Sequence, residues 1–258
     1  AIIISSCLGV VWVGLIGTYK MIVNSVSGYV NLIFNSVISS FGNLIATESR
    51  EKQFQLFLVY RFFAIWVYGF SAVGFFLLLS PLVELYVGAD RVLATSIIAW
   101  YLTDYFFKGE RVVLSNFKTA AGVFEQDKYL SILQGIVNLV LSIALVFKIG
   151  LEGVFIGTVV YGLIANITKP IIIYRVCFEK SAVSYFQESI KYLLDIGAAL
   201  AVLIPLQNLL MPQVTIAKFA LMIVIITVVF NGIFLIVFGR TEEFKYLYGM
   251  VKGRRKRS

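Results

Sequence analysis

In YLTDYFFKGERVVLSNFKTAAG, residues 101–122, the side chains Asp104, Lys108, Arg111, Ser115 and Lys118 recur at spacings of 4, 3, 4 and 3. At about 100° per residue of helix they stay within an arc of roughly 80°, while Phe106, Val112, Val113, Leu114 and Phe117 cover most of the remainder. The stripe is about 21 Å long, most of a hydrocarbon layer about 30 Å thick, and carries three cations and one acid. Such a column suits an anionic ligand. A diphosphate borne by a lipid meets complementary charge there, and the Arg111 guanidinium offers a bidentate fork that an ammonium cannot reproduce. The alternative is a span that ends near Phe107, with residues 108–118 as an amphipathic extension wetted by water and headgroups.

Two weaker polar faces accompany this one. Lys20, Asn24, Ser27, Asn31 and Asn35 follow at 4, 3, 4 and 4, and Ser131, Gln134, Asn138 and Ser142 at 3, 4 and 4. Hydrogen-bonding residues at this spacing serve either as glue between membrane helices or as the lining of a void. Two isolated cations complete the set. Lys169 precedes Pro170, whose ring removes an amide donor and loosens the helix, so this cation either faces a cavity or snorkels from a kink. Arg61, in VYRFFAIW, is either a ligand-facing cation or an interfacial anchor among aromatic neighbours. The candidate binding residues are therefore Arg111, Lys118, Lys108, Asp104, Lys20, Lys169 and Arg61. Glu110 lies off the stripe and requires a local partner.

The elements that must carry these residues follow from composition. The chain has 258 residues, 60% of them hydrophobic and only 14% charged, with a mean hydropathy of +0.91. That is more apolar surface than one soluble domain can bury. Apolar runs between charge clusters give eight expected crossings, at 1–15, 19–46, 55–80, 91–118, 129–148, 151–176, 188–208 and 214–238. Period-two alternation is missing, so the expected fold class is an all-α membrane helix bundle. Placing the C-terminus in the cytoplasm puts fourteen Lys and Arg residues in the connections and tail of that side. Only Lys20, Arg91 and Lys148 fall on the other, a clear positive-inside bias. Phe244, Leu247, Tyr248 and Val251 recur at helical spacing ahead of a Gly-Arg-Arg-Lys-Arg run, the pattern of a short helix lying on an anionic leaflet or of a solvated topology anchor.

Composition also excludes several classes. There is no His, and Cys7 and Cys177 are far apart in apolar surroundings, so neither a zinc site nor a redox pair is expected and no cofactor is implied. No phosphate-binding loop of the GxxxxGK[ST] type occurs. Nucleic acid is a poor partner for the basic tail. The abrupt apolar start at Ala1 reads as part of a longer protein.

The segment WVGLIGTYKMIVNSVSGYVNLIFNSVISSFGNLIATES, followed by EKQFQLF, resembles the block that opens the second half of bacterial polysaccharide or lipid-linked oligosaccharide flippases. These are the polysaccharide branch of the multidrug/oligosaccharidyl-lipid/polysaccharide exporter superfamily. RVVLSNFKTAAGVFEQDKY, NLVLSIALVFKIGLEGVFIGT and PIIIYRVCF are similar to later blocks of the same family. The resemblance covers nearly the whole chain, most specifically residues 13–178. It implies a second six-helix lobe over residues 1–178, two additional helices over 179–239 and a basic cytoplasmic tail over 240–258, with a preceding lobe missing.

The implied function is translocation of polyprenyl-diphosphate-linked oligosaccharide repeat units across the bacterial cytoplasmic membrane by alternating access. The implied partners are membrane lipids, the missing lobe and polysaccharide-assembly enzymes. Arg111 and Lys118 match cationic positions of the family's block. Lys108, Lys20 and Lys169 enter the site on spacing and depth alone. A lone second lobe holds half of a cavity wall, so transport by this chain alone is not expected.

Two other functions compete. An ion-coupled multidrug exporter of the same superfamily needs a membrane carboxylate, for which Asp104, Glu110 and Asp195 are available. A membrane polysaccharide polymerase needs acid and base groups gathered at one face. The short outer connections and the lack of His make an enzyme the weakest of the three.

Overall fold

The computed structural model describes residues 2–254, and its regular elements are all helical. They are α1 (Ile2–Leu8), α2 (Val10–Asn35), α3 (Ile38–Thr47), α4 (Arg50–Val87), α5 (Thr95–Ala121), α6 (Glu125–Ile149), α7 (Leu151–Cys177), α8 (Val183–Leu210), α9 (Ile216–Phe238) and α10 (Glu242–Arg254). A 3-10 turn, Ala89–Arg91, lies between α4 and α5. Among the described residues, six stretches are long and apolar enough to cross a membrane: Val10–Thr47, Arg50–Val87, Lys128–Ile149, Leu151–Cys177, Val183–Leu210 and Ile216–Phe238. The chain is a multi-pass membrane protein. α5 matches α7 in length and runs the height of the bundle, but its five charged residues keep it out of the apolar set.

The first two expected crossings need correction. The turn expected at residues 16–18 is not formed, because α2 continues unbroken through Gly14, Gly17 and Lys20. Glycine inside a helix costs about 1 kcal/mol relative to alanine, which is too little to end a run of apolar residues. The break comes at Gly9, whose φ of 95° is accessible to glycine without strain. Past it, seven-residue α1 folds back, so that Ile3 and Ile4 share a cavity wall with Lys20. Lys20 is therefore inside a helix, not in a connection.

Helices α4, α5 and α7 form the centre, with α5 packed between the other two. Its buried residues include Phe106, Val113, Leu114 and Phe117. Gly109 lets α5 close on the Tyr68 ring of α4, where any β-carbon would overlap. α6 leans almost entirely on α7 through Gly153 and Gly157, four residues apart. A β-carbon at Gly153 would overlap the Leu145 backbone, and one at Gly157 would stand 2.5 Å from Ser142 Oγ. This is the small-residue packing by which membrane helices approach closely.

On the opposite flank α8 and α9 pack on α4 through Phe62, Tyr192, Phe230, Phe234 and Phe238. The expected amphipathic tail helix is present as α10, and its Phe244 ring lies 6.1 Å from that of Trp66. The bases at 255–257 lie outside the described residues.

Candidate functional site

The expected stripe on α5 is divided between two environments. At its start, Asp104 and Lys108 face a cavity of about 580 Å³ bounded by α1, α2, α5, α6 and α7. Its polar wall comprises Lys20 of α2, Asp104 and Lys108 of α5, and Asn138 and Ser142 of α6. Ile3, Ile4, Leu139 and Phe155 supply an apolar wall opposite in character. The size falls in the range of small-ligand sites. Each of the three polar faces found in the sequence sends one or two residues to this void, Lys20 from α2, Asp104 and Lys108 from α5, and Asn138 and Ser142 from α6, while the rest of each face lies elsewhere.

Lys108 lies midway along α5 and its Nζ is 2.6 Å from Asp104 Oδ2. The lysine side chain remains 59% exposed while the aspartate is buried, so the pair keeps a free cationic surface. Asp104 Oδ1 has no hydrogen-bond partner. With Lys20, the cavity has two cations to one acid. Its net charge is positive.

Farther along α5 the side chains turn to the protein interior. Arg111 Nη1 donates to the Gly162 carbonyl at 2.7 Å and to Asn166 Oδ1 at 2.6 Å, both on α7. One arm of the fork expected to grip a diphosphate is thus held by a neighbouring helix. Asn166 Nδ2 in turn donates to Glu110 Oε2 at 3.1 Å, and Ser189 Oγ of α8 donates to Glu110 Oε1. Arg61 of α4 approaches Glu110 at 3.6 Å and donates to Glu188 Oε2 at 2.6 Å, to the Tyr185 carbonyl at 3.0 Å and to Ser189 Oγ at 2.8 Å. Its guanidinium carbon stands 3.6 Å above the Tyr185 ring.

Two cations and two acids balance in this network, which ties α4, α5, α7 and α8 together. A lone charge in hydrocarbon would be far costlier than a paired, hydrogen-bonded one. Arg61, only 1% exposed, is neither an interfacial anchor nor part of the cavity wall. Lys118 is half-buried near the far end of α5, with its Nζ 5.7 Å from the Phe124 ring. Lys169 is half-buried on α7, which passes through Pro170 as one continuous helix. Neither lines the cavity.

Reasoning from sequence missed Asn166, Glu188 and Ser189. A signal existed for one of them, because an acid such as Glu110 inside an apolar bundle demands cations and donors from adjacent helices. Glu188 and Ser189 escaped because α8 begins at Val183, five residues ahead of its expected start. Among the described residues no group of His, Cys, Asp and Glu is arranged to hold a metal ion. Compared with family profiles, with curated proteins and with solved structures, the chain matches none.

Proposed function

We propose that this chain forms the wall of a carrier that moves a polyprenyl-diphosphate-linked oligosaccharide across the bacterial cytoplasmic membrane, with its C-terminus in the cytoplasm. The observation that supports this most is the meeting of Lys20, Asp104 and Lys108 with Asn138 and Ser142 in one cavity within the bundle. The lysines supply charge for a diphosphate, the amide and hydroxyl supply hydrogen bonds for sugar, and the apolar wall accepts the first isoprene units. The carrier makes no covalent change.

The experiment is a binding titration of the purified chain in lipid nanodiscs. A polyprenyl diphosphate sugar is expected to bind about tenfold more tightly than the corresponding monophosphate, as one further charge near two lysines contributes on the order of 1.4 kcal/mol. Equal affinity for diphosphate, monophosphate and neutral glycolipid would remove the basis for this function. A second reading, an ion-coupled exporter of organic cations, draws on the Asp104 carboxylate in the cavity wall. Binding of a cationic dye that is lost in Asp104→Asn, without diphosphate binding, would favour it.

A further inference from the structure

On the flank away from the cavity, α8 carries an acid, Asp195, that belongs neither to the cavity nor to the Arg61–Glu110 network. Asp195 lies twelve residues after Val183, about 18 Å along a helix long enough to span the membrane. It is 4% exposed, and neither carboxyl oxygen has a hydrogen-bond partner. It shares the buried face of α8 with Tyr185, Tyr192, Ala199 and Leu203. One turn earlier, Tyr192 packs on Phe62 and Phe238. The next residue, Ile196, meets Gly69 of α4 where Phe230 of α9 also closes in.

The charged groups on the packed elements are accounted for elsewhere. On α4 the charged residue nearest in level is Arg61, and its Nη atoms are held by Glu188, Ser189 and the Tyr185 carbonyl. α9 carries one cation, Lys218, at its opposite end, more than two turns from Phe230. On α8 itself Lys191 is exposed, and Glu188 is paired with Arg61. Tyr192 adds a phenol beside Arg61, whose guanidinium carbon is 5.7 Å from its ring. An ionised carboxylate enclosed in this way without a donor or a cation would be many kcal/mol out of balance, and the group instead keeps its proton.

We propose that Asp195 is a proton-binding site within the membrane, neutral while α8 is closed on α4 and α9, and able to release its proton only when that seam admits water. The ligand is a proton, and its release is thereby linked to separation of α8 from α4. This inference is independent of the cavity and of the diphosphate reading.

The test is labelling of the wild-type chain in liposomes with dicyclohexylcarbodiimide, a lipid-soluble reagent that adds to protonated carboxyl groups, followed by peptide mass analysis. An adduct on Asp195 is expected, with its yield falling less than about twofold between pH 5 and pH 6. An ordinary aspartate, with a pKa of about 3.9, loses its protonated form about tenfold over the same interval. A tenfold fall at Asp195, or no adduct there at pH 5, would overturn the proposal. In parallel, the infrared carbonyl band of a neutral carboxylic acid is expected in the wild type and lost in Asp195→Asn. Its retention in that variant would assign the band to another group and count against the site.

Discussion

Replacing Lys108 by glutamate is expected to reduce affinity for a polyprenyl diphosphate on the order of a thousandfold. The cavity holds Lys20 and Lys108 against Asp104, and the substitution converts a net positive site to a net negative one. At about 7 Å and an effective dielectric near 20, each charge pair contributes about 2 kcal/mol, and the reversal changes two of them. Lys108→Arg keeps the charge and should stay within a few-fold of the wild type. Lys108→Arg keeps the ion pair with the buried Asp104 and should leave thermal stability within about 1 kcal/mol, whereas Lys108→Glu removes that acid's cation and should lower it by about 3 kcal/mol or more. The binding titration in nanodiscs, paired with a melting curve for each variant, separates these outcomes. Near-equal affinity of Lys108→Glu and the wild type would show that the ligand does not meet this side chain.

The second large effect belongs to the buried network. Arg61→Met leaves Glu110 and Glu188 without their shared cation, and removing one partner of a buried pair typically costs about 3–5 kcal/mol. Glu188 is partly exposed and can turn toward water, whereas Glu110 is enclosed among Asn166, Ser189 and Arg61. Most of the loss should therefore pass through Glu110, and Arg61→Met/Glu110→Gln should recover about half of it. Unfolding midpoints for the two single variants and the double variant close a thermodynamic cycle. Additive losses would show that the two side chains do not interact in the folded chain.

Much of the helical layout was legible in the residues. The runs over 129–148, 151–176 and 214–238 lie within a few residues of α6, α7 and α9, since lipid imposes long uninterrupted helices. The opening was misread for a local reason. Gly14, Gly17 and Lys20 look like a turn, whereas backbone hydrogen bonding in a nonpolar setting favours continuing the helix, and the break falls at Gly9.

The stripe on α5 was legible as a stripe, and its partition was not. Arg111 sits only about 60° around the helix from Lys108, yet α7 presents the Gly162 carbonyl and Asn166 to one and the cavity stands before the other. Which side chain meets a neighbouring helix depends on how α5 and α7 are set against each other, and spacing along one helix does not contain that. The convergence of Lys20, Asn138 and Ser142 on Lys108 was likewise available in sequence only as three separate periodicities.

The central claim is that Lys108 borders a ligand-accepting cavity between α2, α5 and α6, level with the middle of α5. Its most direct test is the reactivity of Lys108→Cys in a background with Cys7→Ser and Cys177→Ser, since Cys7 is exposed and Cys177 half-buried. In liposomes, a charged, membrane-impermeant thiol reagent should modify position 108, and polyprenyl diphosphate should slow that reaction at least tenfold. Modification by a lipid-soluble maleimide alone, or an unchanged rate with the diphosphate lipid present, would contradict the account.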